Sequence, residues 1–105
     1  MSLGLLLKEN DDGESVHIEV SGEIDIYTCQ ELKDRLYKSI DEHGKDMVLD
    51  CSQLNYIDST GLGVLVAVLK KIKLIGKEIK IENLKESIKK LFVITSLDKL
   101  FNIAP

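Results

Sequence analysis

The order of apolar patterns along this chain predicts an α/β fold: a mixed sheet of four to five strands with helices packed mainly on one face, in the order ββαβαβα. Three observations carry that expectation. Val16-His17-Ile18-Glu19-Val20 and Glu78-Ile79-Lys80-Ile81-Glu82 alternate with the period of a half-buried strand. Leu32, Leu36, Tyr37 and Ile40 recur at helical spacing, as do Leu62, Leu65, Val66, Leu69 and Ile72. After the first two strands the two kinds of pattern alternate, an order that gives parallel strands joined by right-handed crossovers. A chain of 105 residues suffices for one domain with a modest core, residues 1–105.

The first strand is expected at Leu3-Gly4-Leu5-Leu6-Leu7, and Asn10-Asp11-Asp12-Gly13 supplies the turn that pairs it with residues 16–20 as a hairpin. Ser21-Gly22-Glu23-Ile24-Asp25-Ile26-Tyr27 reads as a polar connection bearing two carboxylates. Thr28-Cys29-Gln30-Glu31 has the form of a capping box and opens a helix that ends near Gly44. Met47-Val48-Leu49-Asp50-Cys51 is the apolar run of a buried central strand, and residues 52–57 read as its connection to the next helix. That helix starts at Asp58-Ser59-Thr60-Gly61-Leu62-Gly63, capped by Asp58 or Ser59, and stops at Gly76. Val64, Ala67 and Val68 widen its apolar surface, which favours deep embedding over a contact flank. Residues 78–82 form a strand near the sheet edge. Asn83 is expected to cap a third helix, with Glu86 three residues on and Ile88, Leu91 and Phe92 as anchors. A helical turn over residues 96–101 and a short strand at Ile103 end the chain.

Composition narrows the function classes. Hydrophobic residues make up 44% and charged residues 30%, as in a soluble globular chain. The longest apolar run, residues 64–69, falls far short of the ~20 residues that cross a bilayer, and the N-terminus lacks a secretory signal, so a cytoplasmic location and no membrane partner are expected. Residues 1–50 carry five Lys/Arg and thirteen Asp/Glu, a net −8; residues 51–105 carry nine and five, a net +4. No basic patch interleaved with aromatics exists, and phosphates repel an acidic chain, which argues against nucleic acid. Cys29 and Cys51 are too far apart for a CxxC motif and read as buried thiols. His17 and His43 lie without partners at metal-ligand spacing, so no metal is expected.

The chemistry concentrates at Asp58-Ser59-Thr60-Gly61-Leu62-Gly63, where a central strand hands over to a helix. If Ser59 only capped the helix, one polar residue would suffice, worth ~1 kcal/mol over alanine. Two glycines in the first helical turns each sacrifice roughly 0.8–1 kcal/mol relative to alanine, which points to a close approach by something else. A nucleophilic serine needs an adjacent base and a group orienting it; neither histidine is suitably placed, and the G-x-S-x-G elbow is absent. Bound nucleotide would call for GxxxxGK[ST] or GxGxxG, and both are missing, so no cofactor is expected. A covalent phosphate on Ser59 asks less: it adds roughly −1.5 to −2 charges at a helix N-terminus.

This motif, preceded by the Val48-Leu49-Asp50 strand and by Gly22-Glu23-Ile24-Asp25, resembles the anti-sigma factor antagonists, the stand-alone members of the STAS domain family, over essentially the whole chain. The resemblance implies a STAS-type fold and a protein that is a substrate and ligand, not an enzyme. It implies that Ser59 is phosphorylated by a partner that is both anti-sigma factor and ATP-dependent serine kinase. The unphosphorylated form binds that partner and frees the sigma factor, and a PP2C-type phosphatase resets it. Asp25 and Asp58 belong to the implied partner-facing surface, with Thr60 beside them, and Gly61 and Gly63 let the kinase's nucleotide site come close. The alternative implied by the same fold is a scaffold or lipid-transport accessory subunit that docks without being phosphorylated.

Overall fold

The hairpin forms, with strands longer than the alternation alone marks. In the computed structural model, which describes residues 4–105, β1 covers Leu5–Asp11 and β2 covers Ser15–Ile24. Leu3, expected in the first strand, lies outside the described residues. Asp12 makes the turn, its Oδ1 accepting the N–H groups of Glu14 and Ser15, both at 2.8 Å. Then follow α1 (Cys29–His43), β3 (Asp46–Ile57), α2 (Ser59–Leu74), β4 (Ile79–Glu82), α3 (Glu86–Ile94), a 3-10 turn (Leu97–Lys99) and β5 (Asn102–Ile103). The strands lie side by side in chain order. The first pair is antiparallel and the other three are parallel.

All the core-facing strand residues point to one side. Val16, Ile18, Val20 and Ile24 of β2, Met47 and Leu49 of β3, and Ile79 and Ile81 of β4 are buried, while His17, Glu19, Val48 and Asp50 between them are half-buried and Lys80 is exposed. Against the buried side pack Leu32, Leu36 and Ile40 of α1, Leu62, Leu65, Val68, Leu69 and Ile72 of α2, and Ile88 and Phe92 of α3. Val64 and Val66 also lean on this core, so the wide apolar surface of α2 reflects embedding. Phe92 meets Phe101 edge to face, centroids 5.8 Å apart, which fastens the last turn to α3.

β3 is more than twice the expected length, for a reason that matters to the site. Its buried residues run Met47, Leu49, Cys51, then Leu54 and Ile57. Pairing with β2 shifts register by one residue between Glu19 and Ser21, and again between Gly22 and Glu23. Each shift leaves an extra residue on β3, so two bulges convert a spacing of two into three without taking the apolar side chains off the core. Ile57 consequently ends beside Ile24.

The cap of α3 differs from expectation. Asn83 does not cap α3: it sits in the left-handed region (φ 62°), and its Nδ2 donates to Asp50 Oδ1 at 3.0 Å. The residue before α3 is Lys85, in extended backbone and without a side-chain cap. Gly44 does end α1 in a left-handed turn, its N–H reaching Ile40 O at 2.9 Å.

Beside that turn His43 joins two elements. Its Nε2 lies 3.1 Å from Glu9 Oε2 and its Nδ1 lies 3.0 Å from Asp11 Oδ2, while Lys45 Nζ reaches Asp11 at 2.7 Å. Asp11 is held down to about 2, chiefly by the Lys45 ammonium and the Gly13 N–H. The ligand atoms of Glu9, Glu42 and His43 lie within 4.8 Å of one another, but both ring nitrogens already face carboxylates, an arrangement of an imidazolium ion pair. The hydrogen bond and charge of Glu9, with Asp11 behind it, raise the His43 pKa above its ordinary value. A group whose folded pKa is raised stabilises the fold below the unfolded value, ~6.5, and loses that contribution as pH rises through the folded value. The urea midpoint of the wild type should therefore exceed that of His43→Gln at about pH 6, and the gap should close by about pH 9. A gap independent of pH would show that the imidazole acts by packing alone.

Candidate functional site

The site is built where β2 and β3 end. Asp58 is extended (φ −107°, ψ −175°), and its Oδ1 accepts the Gly61 N–H at 3.0 Å while its carbonyl accepts the Leu62 N–H at 3.0 Å. Of the two expected caps, Asp58 is therefore the one used. Ser59 becomes the first helical residue, exposed beside exposed Thr60. No described group bonds the Ser59 hydroxyl. The first-turn N–H groups of Ser59 and Thr60 have no acceptor within the helix, which makes the end electropositive.

A second segment is stitched to this turn. The Asp58 N–H donates to Ile24 O at 3.2 Å, fixing the end of β2 beside the start of α2. Gly61 packs there without a side chain because there is no room for one: an added Cβ would lie 2.5 Å from Ile24 Cγ2 and 2.7 Å from Ile57 Cγ1. This corrects the expectation that Gly61 clears space for a partner; it is buried, and the close approach it permits is internal. Gly63 differs, being exposed with nothing within 4 Å of an added Cβ.

Asp25 opens the loop between β2 and α1. Its Oδ1 accepts the N–H groups of Tyr27 at 2.8 Å and Thr28 at 3.1 Å, and its carbonyl accepts that of Cys29 at 2.9 Å. Thr28 is buried, and its hydroxyl donates to Glu23 O at 2.8 Å while accepting the Asp25 N–H at 3.0 Å. The expected capping box is thus absent: Thr28 reaches backward into the loop and makes no side-chain cap on α1. Gly22 belongs to the same construction. At φ 103° it lies in glycine's territory, and a Cβ there would collide with the Gly4 carbonyl, which accepts the Glu23 N–H at 3.1 Å. Held this way, the loop turns Ile26 and Tyr27 outward, 63% and 81% exposed. Sequence reasoning passed over both; the only signal was two large apolar residues inside a connection.

Among the described residues, neither histidine serves Ser59 as a base. His17 bonds Asp12 Oδ2 at 2.8 Å at the turn end of the hairpin, and His43 lies at the other end of β3, with Glu9 and Asp11. Cys51 is buried, and that burial pushes its thiol up to about 12, out of reach of thiolate chemistry. Cys29 is only half-buried, its Sγ 3.7 Å from Ile26 O, which corrects the reading of two buried thiols. No helix of the described residues is long and apolar enough to cross a membrane.

Comparison with known proteins bears on the family and the fold. The family model described as STAS domain matches residues 7–105. A Bacillus subtilis (strain 168) protein named anti-sigma-B factor antagonist is 35% identical over 104 residues, spanning 99% of this chain and 93% of that protein. A Staphylococcus aureus (strain NCTC 8325 / PS 47) protein of the same name is 35% identical over 86 residues, 82% of this chain and 80% of that one. The crystal structure of an anti-sigma factor antagonist from Mycobacterium paratuberculosis superposes with a TM-score of 0.82 at 25% identity, covering 96% of this chain and 86% of that one.

Proposed function

The chain belongs to the STAS domain family, and we propose that it is an anti-sigma factor antagonist switched by phosphorylation of Ser59. In its unphosphorylated form it binds an anti-sigma factor that is also a serine kinase, and so releases a sigma factor in the cytoplasm. The kinase transfers the γ-phosphoryl group of ATP to Ser59 Oγ; ADP leaves, and a base of the kinase takes the hydroxyl proton. A PP2C-type phosphatase hydrolyses the ester and restores binding. The chain itself serves as substrate and ligand, not as an enzyme, which accords with a serine that neither histidine reaches.

The observation that carries this reading is the division of labour at the helix start. Asp58 takes the capping role, so the Ser59 hydroxyl is exposed and uncommitted. A phosphate there meets free first-turn N–H groups and the positive end of the helix dipole, favourable by about 0.3–1 kcal/mol, so the fold tolerates the modification.

Incubation with the cognate kinase and ATP, followed by intact mass and peptide mapping, should place one phosphoryl group on Ser59 and none on Ser59→Ala. Ser59→Ala should still bind the kinase. A phosphate on Thr60 would assign the switch to the neighbouring hydroxyl. A stable complex with a non-kinase partner and no phosphate would point to a docking scaffold.

A further inference from the structure

Beside the switch stands a surface that the switch itself does not require. Ile26 and Tyr27 expose most of their side chains, 63% and 81%, on a loop that has little freedom to fold them back. That loop is closed by Asp25 Oδ1 on two N–H groups, by the Asp25 carbonyl on Cys29, and by the buried Thr28 hydroxyl on Glu23 O. It is also locked to the serine turn through Asp58 N–H to Ile24 O and through the side-chain-free packing of Gly61 on Ile24. Rigid, outward apolar groups offer contact area at small entropic loss on binding, which is how interface anchors work. A partner seated over Ser59 meets the adjoining loop as well.

We infer that Ile26 and Tyr27 are the apolar anchors by which the anti-sigma factor seats on this protein, and that Asp25 is a positioning residue that holds them outward. The inference rests on the reading that such a partner engages Ser59, and it names the chemistry the partner must offer: an apolar recess beside its nucleotide site. It also reassigns Asp25. One carboxylate oxygen is committed to its own loop, so the contribution of Asp25 lies in the Asx turn more than in its charge.

Titration calorimetry of the purified cognate anti-sigma factor against Ile26→Ser, Tyr27→Ser, Asp25→Asn and Asp25→Ala tests both parts. Ile26 and Tyr27 support no core packing, so the melting temperatures of their serine variants should match the wild type. Each should raise Kd by at least about tenfold. Asp25→Asn keeps an acceptor oxygen for the Tyr27 and Thr28 N–H groups and should bind within about threefold of wild type, whereas Asp25→Ala should fall with Tyr27→Ser. Serine variants that bind within about twofold of wild type would overturn the anchor assignment even with Ser59 phosphorylated normally. Lost binding by those variants, in a protein whose Ser59 is never modified, would uphold the anchors and remove the switch. Equal losses in Asp25→Asn and Asp25→Ala would make Asp25 a charged contact and overturn its positioning role. No binding by the wild type would overturn both.

Discussion

Gly61→Ala is expected to destabilise the fold, and Gly63→Ala, two residues on in the same helix, is expected to leave it unchanged or stabilise it. Helix propensity alone makes the opposite forecast at Gly61, since alanine is favoured over glycine by about 0.8–1 kcal/mol in a helix. Space decides the sign. The new methyl at 61 would sit 2.5 Å from Ile24 Cγ2 and 2.7 Å from Ile57 Cγ1, and 3.2 Å from Ile24 Cβ. These atoms lie close to their backbones, so relief requires moving β2 against β3. Overpacking of this kind costs about 1–3 kcal/mol, and with contacts this short the upper part of that range applies, leaving a net loss of up to about 2 kcal/mol after the propensity gain. Each 1 kcal/mol lowers Tm by about 4–8 °C in a chain of this size. Gly61→Val adds two further methyls and should lose more than about 3 kcal/mol. Urea midpoints and Tm for the three variants decide the matter. An alanine at 61 as stable as wild type would mean that the contact yields freely. Ile24→Leu, which removes Cγ2, should recover part of the loss in the Gly61→Ala background, and that recovery would identify the clash.

The same pair of glycines shows how far the sequence could be read. Their presence in the first turns of a helix signals a close approach, and one occurs, yet nothing in the residue order says whether the visitor is a partner or the chain's own Ile24. That answer depends on β3 running on to Ile57, and this extension was hidden because two bulges space Cys51, Leu54 and Ile57 by three. A strand read only by period two stops at Cys51. Elements whose apolar period is unbroken, such as β2 up to Val20 and the buried faces of α1 and α2, were legible directly. Caps were less so: Thr28 satisfies the capping-box pattern, but its hydroxyl oxygen accepts the Asp25 N–H while donating to Glu23 O, and Asn83 is diverted to Asp50. A local pattern names the groups able to cap a helix, and tertiary geometry chooses among competing hydrogen-bond partners. The strand-to-helix position of Ser59 needed no tertiary information.

Phosphorylation of Ser59 should weaken the complex with the kinase about a hundredfold, with Ser59→Asp about tenfold weaker and Ser59→Asn close to wild type, a graded series that follows charge. The reason lies in what a kinase must bring to this hydroxyl. Transfer requires the γ-phosphorus of ATP about 3–3.5 Å from Ser59 Oγ, so the group facing this position across the interface is itself an anion. A phosphate carried by Ser59 then points at nucleotide phosphates, and like charges at such a separation oppose binding by several kcal/mol. Within this protein the same group is well accommodated, because first-turn N–H groups and the helix dipole receive it. The proposed switch therefore needs no change of shape in this protein: near-identical amide spectra are expected for the two forms outside residues 57–63. Removing nucleotide from the kinase should shrink the difference between Ser59 and Ser59→Asp, since the repelling anion has gone. A difference that persists undiminished in nucleotide-free kinase, or an equal loss for Ser59→Asn and Ser59→Asp, would show that bulk at the helix start, and not charge against nucleotide, is what breaks the complex.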